Sequence, residues 1–157
     1  MKMKAIVTGS FDPFTLGHLE IVKSVLNKFE VVYVVALINE NKSYMFTMEE
    51  KKKIIELSVG ELEGVIVDAY DGLTADYMHK NGIKHIVRGI RNSEDLEYEQ
   101  KLANKMKEYD KDFETIFINC KEEYSNISST SVKDAIKNNK DLTELMHPKA
   151  ILYLKNK

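Results

Sequence analysis

Five short runs rich in β-branched residues, Lys4–Thr8, Val31–Ile38, Val65–Ala69, His85–Val87 and Thr115–Ile118, are separated by stretches with helical patterning. Strands joined in turn through helices lie side by side in parallel, because each crossover carries the chain back to the edge where the previous strand began. The alternation predicts an α/β fold, a Rossmann-like doubly wound sheet of five parallel strands. Between the first two runs, Ile21, Val22, Val25, Leu26 and Phe29 recur on one helix face. Thr47-Met48-Glu49-Glu50 reads as a capping box opening a second helix, and Gly82 as the stop of a third that starts near Thr74. Ser128-Ser129-Thr130, Asp141-Leu142-Thr143-Glu144 and Pro148 each suit a helix start, so the C-terminal segment is expected to be helical.

The 157 residues contain no linker-like or low-complexity stretch and are expected to form one domain, 1–157, large enough to bury a core without disulfides. Cys120 is the single cysteine, which excludes an internal disulfide. The longest apolar run, Val31–Ile38, is far too short for a membrane-spanning helix. At the N-terminus, Met1-Lys2-Met3-Lys4 and Ala5-Ile6-Val7 are followed at once by Thr8-Gly9-Ser10, with no signal-peptide apolar core. A cytoplasmic location without membrane association is therefore expected. A formal charge of −2 offers no global attraction for nucleic acid, so any anion site must be built from a few local residues.

Ligands of a doubly wound sheet bind where loops leave the carboxyl ends of the strands, which directs attention to Gly9-Ser10-Phe11-Asp12-Pro13-Phe14-Thr15-Leu16-Gly17-His18. Gly9 and Ser10 allow close approach of a phosphate, Gly17 leaves room for a flat ring, and His18 falls in the first turn of the helix, where free N–H groups favour anions. Taken alone, Gly17 could equally be a turn residue and His18 an exposed helix start. Lys42 sits in the polar loop Asn39-Glu40-Asn41-Lys42-Ser43 at the same edge, a position that usually means solvated surface.

Arg88-Gly89-Ile90-Arg91 follows the fourth strand. Two planar guanidinium forks around a glycine that lets the backbone pass close to a ligand would grip phosphate; the same arginines could instead pair with Asp95, Glu97 or Glu99 at the next helix start. Tyr124-Ser125-Asn126-Ile127-Ser128-Ser129-Thr130 leads into a further helix, and ordinary capping accounts for one of its hydroxyls. The remainder suit a triphosphate lying on free helix N–H groups.

These four segments together resemble the nucleotidyltransferases related to class I aminoacyl-tRNA synthetases. Thr15-Leu16-Gly17-His18 has the Thr-x-Gly-His form of the phosphopantetheine adenylyltransferases in place of the commoner His-x-Gly-His. Asp95-Leu96-Glu97-Tyr98-Glu99 is similar to that family's Asp-Phe-Glu-Tyr-Glu, and Ile127-Ser128-Ser129-Thr130 to its Ile-Ser-Ser-Thr signature. The resemblance spans essentially the whole chain, with Ser10 in place of a frequent threonine, Leu96 of phenylalanine and Tyr124 of tryptophan.

By position, the resemblance implies catalytic roles for His18, Lys42 and Arg91, with His18 bonding the reacting phosphate in the transition state. ATP would meet Ser10, Phe11, His18, Gly89, Ile90, Arg91, Glu99 and the residues of the last segment: Tyr124, Ser125, Asn126, Ile127, Ser128, Ser129 and Thr130. The acceptor, 4'-phosphopantetheine, would meet Ser10, Lys42, Arg88 and Thr74, the last at a position that is often apolar. The implied reaction joins the AMP part of ATP to that acceptor, giving dephospho-coenzyme A and pyrophosphate, with Mg2+ carried mainly by ATP and a homohexamer as the assembly. His79, His85 and His147 are scattered and read as structural or surface residues rather than metal ligands. The rival acceptors are nicotinamide mononucleotide and, for a CTP-using enzyme, glycerol or choline phosphate; the other rival is a nucleotide-binding regulator that has lost turnover.

Overall fold

The computed structural model describes residues 3–39 and 41–157; Met1, Lys2 and Glu40, the last from the loop of Lys42, lie outside the described residues. The chain runs β1 (Lys4–Gly9), α1 (Leu16–Leu26), β2 (Val31–Leu37), α2 (Met48–Val59), β3 (Val65–Tyr70), α3 (Thr74–Asn81), β4 (His85–Ile90), α4 (Ser93–Tyr109), β5 (Glu114–Asn119), a 3₁₀ turn (Glu122–Tyr124), α5 (Ser129–Lys137) and α6 (Pro148–Lys155). All four strand pairings are parallel, in the order β3-β2-β1-β4-β5. The expected five-stranded sheet is present; four strands lie within one residue of their sequence-based bounds, and β4 runs three residues further, to Ile90.

Side chains alternate across the strands and divide the core in two. Ala5, Val7, Val32, Val34, Ala36 and Val87 face α1, α2, α5 and α6, where they meet Leu19, Val22, Ile54, Ile55, Val132 and Ala150. Ile6, Tyr33, Val35 and Ile86 face the other layer, against Ala75, Tyr77 and Met78 of α3 and Phe113. Register enforces this division: Val7 lies beside both Val34 and Val87, while Ile6 lies beside both Tyr33 and Ile86. A one-residue slip would turn every one of these side chains to the wrong layer.

Local chemistry sets the helix ends. Thr47 and Glu50 form the expected reciprocal capping box, and Gly82 ends α3 in the left-handed conformation at φ 66°. Phe29 lies beyond the end of α1 yet is buried, because its N–H still reaches the Val25 carbonyl. The segment from Asp141 departs from expectation. Its carboxylate accepts from the Thr143 N–H at 3.0 Å and hydroxyl at 2.6 Å, closing a tight turn around the side chain that would otherwise cap a helix. One turn follows, in which the Leu145 and Met146 N–H groups reach the Leu142 carbonyl, and Pro148 then restricts the backbone before α6. This short segment has a task in the fold: Met146 is fully buried, and the Leu145 carbonyl accepts the otherwise free N–H of Leu16 at the start of α1.

Ile54, on α2, is fully buried in the larger core. Ile54→Ala should lower unfolding free energy by about 3 kcal/mol through lost burial and residual cavity, read from urea denaturation with an unchanged slope.

Candidate active site

The sequence moves outward from β1 to β2 and β3, then returns to place β4 on the other side of β1. Loops leaving β1 and β4 therefore diverge, opening a crevice at the carboxyl edge. A cavity of about 450 Å³ occupies it, within the range of small-molecule sites.

The loop after β1 forms one wall. Phe11 has φ 46°, a left-handed conformation that is uncommon for a bulky side chain and carries a backbone cost. Packing holds it there: the ring is 2% exposed and meets Phe14 and His18 edge-on at centroid distances of 5.3 and 5.0 Å. Thr15 then caps α1. Its hydroxyl accepts the His18 N–H at 3.4 Å, while its own N–H donates to His18 Nδ1 at 2.9 Å. Thr-x-Gly-His is thus a capping box whose fourth member is an imidazole.

That capping box determines the chemistry of His18. Nδ1 accepts from the Thr15 backbone and also lies 3.1 Å from the Thr15 hydroxyl, so the ring proton belongs on Nε2. Removal from water, followed by the positive charges of Arg91 and Arg88, lowers the imidazole pKa from 6.5 to about 4. At neutral pH His18 is an uncharged N–H donor in the cavity wall.

Across the crevice, Arg88 is almost fully engaged. Its Nε and Nη2 donate to the two carboxylate oxygens of Glu99 at 2.8 and 2.9 Å, and Nη1 donates to the Thr8 carbonyl and hydroxyl. Glu99, only 7% exposed, is paired with the guanidinium of Arg88 at the cavity wall. Arg91 has a looser arrangement: its Nε donates to Asp95 at 3.3 Å, and Asp95 also accepts the Arg91 backbone N–H. Each arginine pairs with a carboxylate, as one sequence reading expected, and each also lines the cavity. A Cβ at Gly89 would meet the end of the Ile21 side chain of α1, which would have to shift to admit it.

The start of α5 closes the crevice. Ser128 caps the helix by accepting the Ser131 N–H at 3.0 Å, and Ser129 donates its hydroxyl to the Pro13 carbonyl at 3.1 Å. The first-turn N–H groups of Ser129 and Thr130 have no carbonyl one turn back to bond and sit at the cavity wall. Ser10, Phe11, His18, Arg88, Gly89 and Arg91 line this cavity, joined by Glu99 and by Ile127 through Thr130. Ile90 is a buried strand residue, and Tyr124, Ser125 and Asn126 lie in and just after the 3₁₀ turn, outside the wall. Lys42, exposed on the loop after β2, and Thr74, the first residue of α3, also lie outside it.

Asp12 was overlooked in sequence because all its partners are distant. It is 2% exposed and accepts from the N–H groups of Met45 at 2.8 Å and Phe46 at 3.0 Å, in the loop of Lys42. Lys133 of α5 stands 3.5 Å from the same carboxylate. Thr8, which fixes Arg88, and Tyr98 and Cys120, which line the cavity, were likewise missed.

At the switch point of the parallel sheet, a neutral imidazole donor, paired arginines and a hydroxyl-rich helix start thus line one cavity, an arrangement whose donors suit the phosphates handled by the nucleotidyltransferase class. The cytidylyltransferase-like family model matches residues 6–135. A phosphopantetheine adenylyltransferase of Staphylococcus carnosus is 38% identical over 143 residues, covering 91% of this chain and 89% of its own length. That of Thermotoga neapolitana is 38% identical over 146 residues, covering 93% and 91%. The chain belongs to the cytidylyltransferase-like family and, within it, to the phosphopantetheine adenylyltransferases. A solved structure from Vibrio parahaemolyticus, described as a candidate nicotinate-nucleotide adenylyltransferase, shares the fold with a TM-score of 0.76 at 21% identity, over 99% of this chain and 93% of that one.

Because the folded-state pKa of His18 is lowered, its contribution to stability is fully present above pH 6.5 and is lost as pH falls through about 4. Nitrogen-15 NMR should show a single Nε2–H tautomer that does not titrate between pH 5.5 and 8 in the free protein; a midpoint near 6.5 would contradict this assignment. Asp12→Asn should destabilise the fold by about 2 kcal/mol, since one carbonyl must replace two acceptors for buried N–H groups. Thermal unfolding checks it.

Proposed function

We propose that this protein transfers the adenylyl group of ATP to 4'-phosphopantetheine, releasing pyrophosphate and forming dephospho-coenzyme A. One observation carries the reading: His18, Arg88, Arg91 and the start of α5 meet in a single cavity at the switch point of the sheet. The kinship with phosphopantetheine adenylyltransferases supports the choice of acceptor.

An oxygen of the acceptor phosphate forms a bond to the α-phosphorus of ATP as the bond from that phosphorus to the bridging oxygen breaks, and pyrophosphate leaves with the electron pair. The second pKa of a phosphate monoester is about 6, so the attacking group is already ionised at neutral pH and requires no protein base. The task left to the protein is to bring anions together. Unit charges 4 Å apart interact by roughly 4 kcal/mol at an effective dielectric of 20, so opposing donors decide the rate.

His18, neutral and fixed by Thr15, donates from Nε2 to an oxygen of the α-phosphate as charge builds there. Arg91, bonded among the described residues through Nε alone of its side-chain nitrogens, offers both Nη groups to the nucleotide phosphates. Arg88, with four of its five N–H groups committed to Glu99 and Thr8, offers one Nη2 N–H to the acceptor phosphate. Lys42 reaches that phosphate from the loop outside the wall, Thr74 meets the acceptor's arm, and Ser10 touches both substrates.

Mg2+ fits this site as an ion borne by the nucleotide. The two carboxylates of the cavity wall, Asp95 and Glu99, are bonded to Arg91 and Arg88, which leaves ATP oxygens and water as the ligands such an ion favours. Its chemistry there would be to offset the charge of the triphosphate. A cytoplasmic homohexamer that takes no nucleic acid accompanies this reading. The charge of −2 supports the last point, and among the described residues no helix is long and apolar enough to cross a membrane. Sedimentation velocity tests the assembly.

The protein mixed with ATP, Mg2+ and 4'-phosphopantetheine should release pyrophosphate and form dephospho-coenzyme A, and should be inactive with nicotinamide mononucleotide. Failure with the first acceptor would sink the proposal. His18→Ala should lower turnover by about 10² to 10³ while substrate binding changes less; near-normal turnover would remove His18 from the mechanism.

A further inference from the structure

Lys51 lies in the first turn of α2, outside the cavity, and its side chain is fully buried. Its ammonium nitrogen has no hydrogen-bond partner among the described residues, a costly state for a buried cation. What faces it is the ring of Tyr44, whose centroid is 3.3 Å from Nζ. Asp12 and Lys133 are the nearby charged groups, the first favouring the ammonium and the second opposing it, while burial pushes its pKa down.

Tyr44 continues the chain of contacts. Its hydroxyl accepts the Asn39 N–H at 2.9 Å. The Asn39 carbonyl in turn accepts the Lys42 N–H at 3.0 Å, and the Asn39 side chain accepts the Asn41 N–H. At the far end of the same loop, Asp12 holds the N–H groups of Met45 and Phe46. The Lys42 backbone is therefore bracketed by Asp12 on one side and by the stack of Lys51, Tyr44 and Asn39 on the other. Were Lys51 only a packing residue, an aliphatic side chain of the same length would fill its place without an unmet charge.

We propose that Lys51 is a positioning residue for the acceptor phosphate: its buried ammonium seats the Tyr44 ring and thereby fixes the loop that presents Lys42. This rests on the adenylyl-transfer reading for the role of Lys42, and on the contacts alone for the link between Lys51 and the loop. ATP binding, built on the β1 and β4 loops and α5, is predicted to be insensitive to Lys51.

The test compares Lys51→Met, Lys51→Arg and Tyr44→Phe in the whole protein. Lys51→Met should raise KM for 4'-phosphopantetheine roughly tenfold, as expected for loss of a desolvated cation–aromatic contact, with KM for ATP within about twofold; Lys51→Arg should restore most of the loss. In a Lys42→Ala background, Lys51→Met should add less than about twofold, because residues acting through one group are not additive. Equal rises for both substrates, or a full additional loss in the double variant, would overturn the proposal. Tyr44→Phe keeps the ring and removes only the hydroxyl bond to Asn39, so it tests the same chain should Lys51→Met fail to fold. A rise of about threefold in acceptor KM is expected there, and no change would count against the link. Amide hydrogen exchange at Asn39 and Lys42 provides a readout without substrate. Roughly tenfold faster exchange in Lys51→Met, or in Tyr44→Phe if the first does not fold, is expected; unchanged exchange refutes the inference. A wild-type protein inactive on the acceptor would sink the functional reading while leaving the exchange result to decide this one.

Discussion

A single buried carboxylate connects the parts of this site. Asp12 belongs to the loop after β1, yet its two oxygens hold backbone N–H groups of the loop after β2, and Lys133 brings the first helical turns of α5 against it. Each of these segments leaves a different strand, and nothing in a parallel sheet by itself fixes how such loops lean toward one another. A nearly dry carboxylate makes the arrangement specific, because an N–H left without its acceptor at such a site costs on the order of 1 to 3 kcal/mol. Phe11, held in a left-handed conformation one residue earlier, shows how tightly the loop around Asp12 is specified.

With the loops fixed, the cavity acts by placement. Its imidazole cannot serve as a base for an incoming phosphate with a usual pKa of about 6, since its own is lowered to about 4 and its proton sits on Nε2. Arg88 is held by Glu99 and Thr8 before any ligand arrives, so it needs little reordering on binding, while Arg91 is held more loosely by Asp95. The Thr15 capping box links fold to chemistry most directly: the bond that starts α1 also chooses the tautomer of His18.

Much of this was legible in the chain. β-branched runs gave the strands, because a sheet covered on both faces demands them. Gly9–His18, Arg88–Arg91 and Ser128–Thr130 were legible as loops of one edge because parallel strands share a carboxyl end. Asp12 escaped notice because its acceptor role depends on residues 33 and 34 positions away, and Lys133 lies 121 positions away. The pairing of Arg88 with Glu99 was visible in spacing as one option but not the simultaneous hold by Thr8, which comes from the adjacency of β1 and β4. Asp141 looked like a helix cap because side-chain oxygens that cap helices also close turns, and only the following residues decide between them.

On the proposed reading, the protein positions two substrates for one direct displacement and contributes no covalent group of its own. The stereochemical course at the α-phosphorus tests this most directly, using ATP made chiral at that atom by a single sulfur substitution and phosphorus NMR of the dephospho-coenzyme A analogue formed. A single in-line transfer predicts inversion of configuration. Retention would require an adenylylated residue as an intermediate and would rule out a single direct displacement.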